Sequence, residues 1–104
     1  NKDVPFKCGE CSDAVIVEDC PSACAVSNIL TGIAIMGTKL KEVQKSHLRP
    51  YKNLYICLDR DATTKAYDMA KNLRSSGFEN VIVKPLEDDL KYFNTEQVRK
   101  IFYG

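Results

Sequence analysis

Leu54-Tyr55-Ile56-Cys57-Leu58-Asp59-Arg60-Asp61-Ala62-Thr63-Thr64-Lys65-Ala66-Tyr67-Asp68-Met69-Ala70-Lys71-Asn72-Leu73 (residues 54–73) carries the signals that decide the fold. Residues 54–58 form a continuous apolar run of strand length, the pattern of a strand buried on both faces. Asp59 and Asp61 interrupt it. Ala66, Met69, Ala70 and Leu73 then recur at i, i+3, i+4 and i+7, which is one stripe of an amphipathic helix. A threonine stands at its start and Gly77 just past its end. A buried strand, an acidic turn and a helix in succession form one half of a βαβ unit.

The same alternation continues on both sides. Ala14–Val17, Ile33–Met36 and Val81–Val83 are further short apolar runs without polar interruption. Helical patterns fill the gaps. Residues 22–30 (SACAVSNIL) follow Pro21, with Ser22 as the expected N-cap and Gly32 as the closing residue. Residues 40–48 (LKEVQKSHL) place Leu40, Val43 and His47 at helical spacing before Pro50. Residues 95–103 follow Asn94, with Gln97 completing a capping box. Residues 1–13 are polar, carry Pro5 and Gly9, and read as a lead-in segment; 14–104 read as the domain. The order βαβαβαβα predicts an α/β domain with a mainly parallel sheet of about four strands, flanked by helices on right-handed crossovers.

Composition narrows the function classes. In 104 residues the formal net charge is +1, which excludes a polycationic tail that binds nucleic acid by charge alone. No apolar run approaches the ~18 residues of a membrane span, and the first residues lack a signal-peptide pattern. Five cysteines cannot all pair within one chain, so a reducing, cytoplasmic location is expected.

In open α/β sheets, ligands bind beyond the carboxyl ends of the strands. Those ends deliver Glu18 and Asp19, then Gly37-Thr38-Lys39, then Asp59-Arg60-Asp61, and finally Glu87-Asp88-Asp89 after Pro85. If the first and third strands are neighbours, Glu18, Asp59 and Asp61 converge. Two carboxylates ~4 Å apart repel by roughly 4 kcal/mol at an effective dielectric near 20, so such a rim calls for a divalent cation or raised pKa values. All-oxygen ligation suits Mg²⁺ or Mn²⁺, and the chemistry it favours is phosphoryl transfer. Lys39, Arg60 and Lys65 would surround the rim and hold phosphates.

These residues resemble a Toprim domain, the metal-binding module of topoisomerases, of DnaG-type and phage primases, and of some nucleases. The resemblance rests on VIVE at 15–18, IAIMGTKL at 33–40, YICLDRDATTKA at 55–66 and GFENVIVKPLEDDL at 77–90. The Gly37-Thr38 pair and the basic Lys65 after the acids are most similar to primases. The resemblance implies a Rossmann-like fold and a general acid or base at Glu18. It also implies metal binding by Glu18, Asp59 and Asp61, with Asp88 or Asp89 as a later acid. Gly37, Thr38, Lys39, Arg60 and Lys65 would contact nucleotide or nucleic acid. The implied activity is Mg²⁺-dependent synthesis of RNA primers on single-stranded DNA from nucleoside triphosphates. A template-binding primase domain and a replicative helicase are the implied partners. A Toprim nuclease and a non-catalytic nucleic-acid-binding Toprim domain are the alternatives. The chain departs from the family at Asp19, where glycine is usual, at Ser22, where aspartate is frequent, and at Thr63-Thr64, where Ala-Gly is common.

Two further patterns compete with this reading. Asp59–Thr63 fits the D-x-D-x-T opening of haloacid-dehalogenase-like phosphatases, but Glu18 has no role there. Cys8 and Cys11 have the spacing of a zinc knuckle, and Cys20 and Cys24 would complete four thiolates. The second pair lies at a strand end and within a helix, so zinc is not expected. Cys57 is read as a core residue and His47 as structural.

Overall fold

The computed structural model describes residues 4–37 and 39–104. Five strands form one sheet: β1 (Phe6–Cys8), β2 (Asp13–Val17), β3 (Thr31–Ala34), β4 (Asn53–Ile56) and β5 (Val81–Val83). Their order across the sheet is β1-β3-β2-β4-β5. β3, β2, β4 and β5 run parallel, and β1 is antiparallel to β3. The lead-in segment therefore contains an edge strand, with Phe6 opposite Ala34 and Cys8 opposite Gly32.

Side chains alternate between two buried layers, as the strand period requires. Ala14, Ile16, Ile33, Leu54 and Ile56 face one layer, where α2 (Thr63–Ser75) contributes Ala66, Met69, Ala70 and Leu73. Val15, Val17, Ala34 and Tyr55 face the other, against α1 (Cys20–Ala25) and α3 (Thr95–Tyr103). Each fully buried Val, Leu or Ile stabilises by about 1.5–3 kcal/mol, so both faces must be covered. Helices on both faces of a mostly parallel sheet make this a three-layer α/β domain. Among the described residues no helix is long and apolar enough to cross a membrane.

The helix stripe of α2 falls where the sequence predicts, and Gly77 closes it at φ +97°. Its start differs. Ala62 occupies the cap position without a side-chain hydrogen bond, while Thr63 Oγ1 donates to the Arg60 carbonyl. The capping box of α3 forms as expected, with reciprocal Asn94–Gln97 bonds of 2.9 Å. α1 is shorter than predicted and is capped by Asp19 rather than Ser22.

The expected helix at 40–48 is a 3-10 helix over Glu42–His47. Val43 is exposed there, whereas Gln44 and Lys45 are buried. Gln44 Oε1 accepts the Lys41 amide, and Lys45 Nζ donates to Asn72 Oδ1 and Ser76 Oγ on α2. Lys45 ties the segment to the end of α2, while Leu40 and Leu48 at its flanks pack into the core. β3 also begins two residues earlier than its apolar run. Gly32 allows this, because a Cβ there would stand 2.5 Å from Ala23 Cα on α1.

Candidate functional site

The parallel strands connect outward in opposite directions from β2: to β3 on one side, and from β3 across to β4 on the other. The gap between the carboxyl ends of β2 and β4 is thus the topological switch point. Pairing continues past both strand ends, since the Cys57 amide donates to the Ile16 carbonyl at 2.9 Å. This brings Glu18 and Asp59 side by side, and the Asp59 amide donates to Glu18 Oε2 at 2.7 Å.

Asp89 joins them from the far side of β5. It occupies the cap position of the 3-10 turn Leu90–Tyr92, which is anchored by buried Leu90. Burial, hydrogen bonding to Glu18 and Asp89, and the charges of both push the Asp59 carboxyl up to about 7. Asp59 therefore holds a proton through much of the acid range. The same surroundings leave Cys57 inert: burial first, then Asp59 and Asp89, push its thiol up to about 12.

Lys91 borders the cluster, with Nζ 3.6 Å from Asp89 and 3.7 Å from Asp19. The Asp19 charge is the leading cause of its raised pKa, with Tyr92 and Asp89 adding to it against some desolvation. Asp19 itself has its carboxyl lowered. Burial works against ionisation there, but bonds from Ser22 and the nearby Lys91 outweigh it. Its Oδ1 accepts the Ser22 amide at 2.9 Å, so Asp19 serves as a helix cap and faces Lys91.

Of the acids named from the sequence, Glu18, Asp59 and Asp89 come together. Asp61 is exposed in the 3-10 turn Arg60–Ala62, and Asp88 is exposed beside Asp89. The carboxyls acting on Asp59 are those of Glu18 and Asp89. Lys39 and Lys65 line one groove with Leu40, Asp68, Met69 and Asn72. Lys39 also lines a second groove with Phe6, Cys20, Met36 and Gly37. Arg60 is exposed. Thr38 lies outside the described residues. Sequence reasoning did not single out Lys91, whose role depends on the turn that follows Asp89. Met36, expected to end a buried strand, instead lies beyond β3, 69% exposed and at φ 58°, a costly value for a non-glycine residue.

Among the described residues, no three or more His, Cys, Asp or Glu side chains are already gathered as a metal cage. The donor chemistry nevertheless fits Mg²⁺ or Mn²⁺, which bind through one or two carboxylates and leave other positions to phosphate and water. A carboxyl held near 7 by burial and by its neighbours is also one whose ionised form a cation would relieve. Glu18 and Asp59 are the residues that would hold it, with Asp89 beside them.

Compared with known proteins, the chain matches no protein-family model, no curated protein and no solved structure.

Proposed function

We propose that this chain is a Toprim-type catalytic module that transfers nucleotidyl groups on nucleic acid with Mg²⁺ or Mn²⁺, as in a DNA primase. The observation that carries the reading is the 2.7 Å bond from the Asp59 amide to Glu18 Oε2, which joins two strand-end acids at the switch point. Glu18 and Asp59 would hold the metal, which would supply positive charge for a transferring phosphoryl group. Glu18 Oε2 is fixed by the Asp59 amide, which orients the carboxylate to take or give a proton at the reacting oxygen. Lys39 and Lys65, on one groove, supply cationic contacts for a triphosphate or a nucleic-acid backbone. Lys91 balances the acids on the opposite side. Single-stranded DNA and nucleoside triphosphates are the proposed ligands.

The test incubates the chain with single-stranded DNA, labelled nucleoside triphosphates and Mn²⁺. Short RNA products that fall by ~10²–10⁴ in Glu18→Gln would support nucleotidyl transfer with Glu18 as its acid–base group. Shortened DNA with no RNA product would assign the same acids to a nuclease. Neither product, with retained DNA binding, would leave a non-catalytic binding domain.

A further inference from the structure

Three thiols gather on the α1 side of the sheet, away from any role in the acid cluster. Cys8 ends β1 in register with Gly32 of β3. Gly32 lies directly against the Ala23 backbone, and Ala23 sits on α1 between Cys20 and Cys24. Cys8 and Cys20 pack against the same buried layer as Ala23, while Cys24 is exposed. Gly9, next to Cys8, lies against Ser27, three residues past Cys24, where an added Cβ would stand 2.8 Å from the Ser27 carbonyl oxygen.

We propose that Cys8 and Cys24 are a reversible dithiol–disulfide pair that clamps β1 to α1, with a peroxide or a small-molecule disulfide as oxidant. Cys24 is the solvent-facing member. The Cys8 thiol, then desolvation and Cys20, raise the Cys24 thiol, so its thiolate is a minor form that grows with pH. That thiolate attacks one peroxide oxygen, the O–O bond breaks, and, with the thiol proton returned to the leaving oxygen, a sulfenic acid and one water form. The Cys8 sulfur then attacks the Cys24 sulfur; the S–S bond forms, the S–O bond breaks, and a second water carries away the remaining proton. Two thiols and one hydrogen peroxide give one disulfide and two waters, with two electrons passing from sulfur to oxygen.

The other pairings are disfavoured by geometry. Cys20 Sγ donates to Met36 Sδ at 3.8 Å, beside Phe6 rather than beside Cys8. Cys20 and Cys24 stand four apart on a helix, where Cβ atoms lie ~5–6 Å apart, beyond the ~3.5–4.5 Å of a disulfide. Cys11 is tied to β3, its amide donating to Thr31 Oγ1 at 2.8 Å and its carbonyl accepting from the same hydroxyl at 3.0 Å. Cys57 is buried in β4's extension.

The chain is treated with hydrogen peroxide or oxidised glutathione, free thiols are alkylated after unfolding, and the disulfides are mapped. Cleavage after Lys7, Glu10, Glu18 and Lys39 separates Cys8 from Cys11 and from the peptide holding Cys20 and Cys24. The expected product is a Cys8–Cys24 link, reversed by dithiothreitol. Closing the 8–24 loop should raise Tm by on the order of 10 °C. Cys20→Ser should keep the link and the rise, and the exposed-site variant Cys24→Ser should lose both. A link to Cys11 or Cys20, Cys8 remaining alkylatable after Cys24 is consumed, or no oxidation of either thiol would overturn the pair. So would one zinc ion protecting Cys8, Cys20 and Cys24 together in the reduced chain. None of these readouts uses catalysis, so they stand apart from the proposed activity.

Discussion

Replacing Asp59 by asparagine should stabilise the protein at alkaline pH and leave it nearly unchanged in acid. In the folded chain Asp59 titrates at about 7, whereas an unfolded aspartate titrates near ~3.9. A carboxyl raised on folding gives the folded state the greater proton affinity between those values. Its contribution to stability is therefore full below about pH 4, falls as pH rises to about 7, and stays low above that. The gap corresponds to about 4 kcal/mol if taken whole. Asp59 is only half-buried and solvent screens it, so about half of that, about 2 kcal/mol, is the working value. Asparagine keeps the size and cannot ionise. Urea unfolding of both chains at about pH 5 and about pH 8 reads the effect as a difference, which cancels the other carboxyls. Because part of the contribution is already lost by pH 5, the variant should gain about 1 kcal/mol over the parent between the two pH values. Millimolar Mg²⁺ at the higher pH should narrow the gap by stabilising the parent alone. Parallel curves for the two chains, or a parent that gains relative to the variant as pH rises, would refute the assigned cluster.

Asp89→Asn should weaken the Mn²⁺-induced rise in Tm more than Asp61→Asn, because Asp89 acts on Asp59 and Asp61 is exposed; the reverse ranking in a thermal-shift titration would return the metal to the D-x-D pair. Gly32→Ala should cost about 3 kcal/mol in urea unfolding, since its methyl group would meet the Ala23 backbone and α1 must move outward. Asn94→Ala should cost about 1 kcal/mol by removing the α3 cap, read as a lower Tm with an unchanged fold by circular dichroism.

What the sequence disclosed divides along the range of the forces involved. The stripe of α2 and the capping box of α3 are local patterns, and both formed. β1 is three residues long, with Phe6 and Lys7 exposed, and has no internal alternation to betray it. Only the free edge of β3 makes it a strand. At 40–48 the periodicity pointed to Leu40, Val43 and His47, but burial went to Gln44 and Lys45 because Asn72 and Ser76 stand ready to receive the ammonium. Those partners are distant in the chain and leave no periodic trace. The same division runs through the candidate site. Glu18 and Asp59 could be placed because each directly follows an apolar strand. Choosing Asp89 over Asp88 depends on a 3-10 turn whose anchor, Leu90, is recognisable only once β5 is in position.

The direction of β1 has a practical consequence for handling the protein. Because β1 runs against β3, Phe6 lies beside Ala34, and Val4 and Pro5 border the groove shared by Met36, Gly37 and Lys39. A label or surface tether attached at Val4, which is exposed beside that groove, would narrow access to it. The other terminus offers a clear route. Tyr103 Oη donates to Asp13 Oδ2 at 2.6 Å, and Asp13 opens β2 at the opposite edge of the sheet. Attachment beyond Gly104, through a spacer that spares the Tyr103 bond, would present the acid-bearing edge outward to whatever is offered in solution.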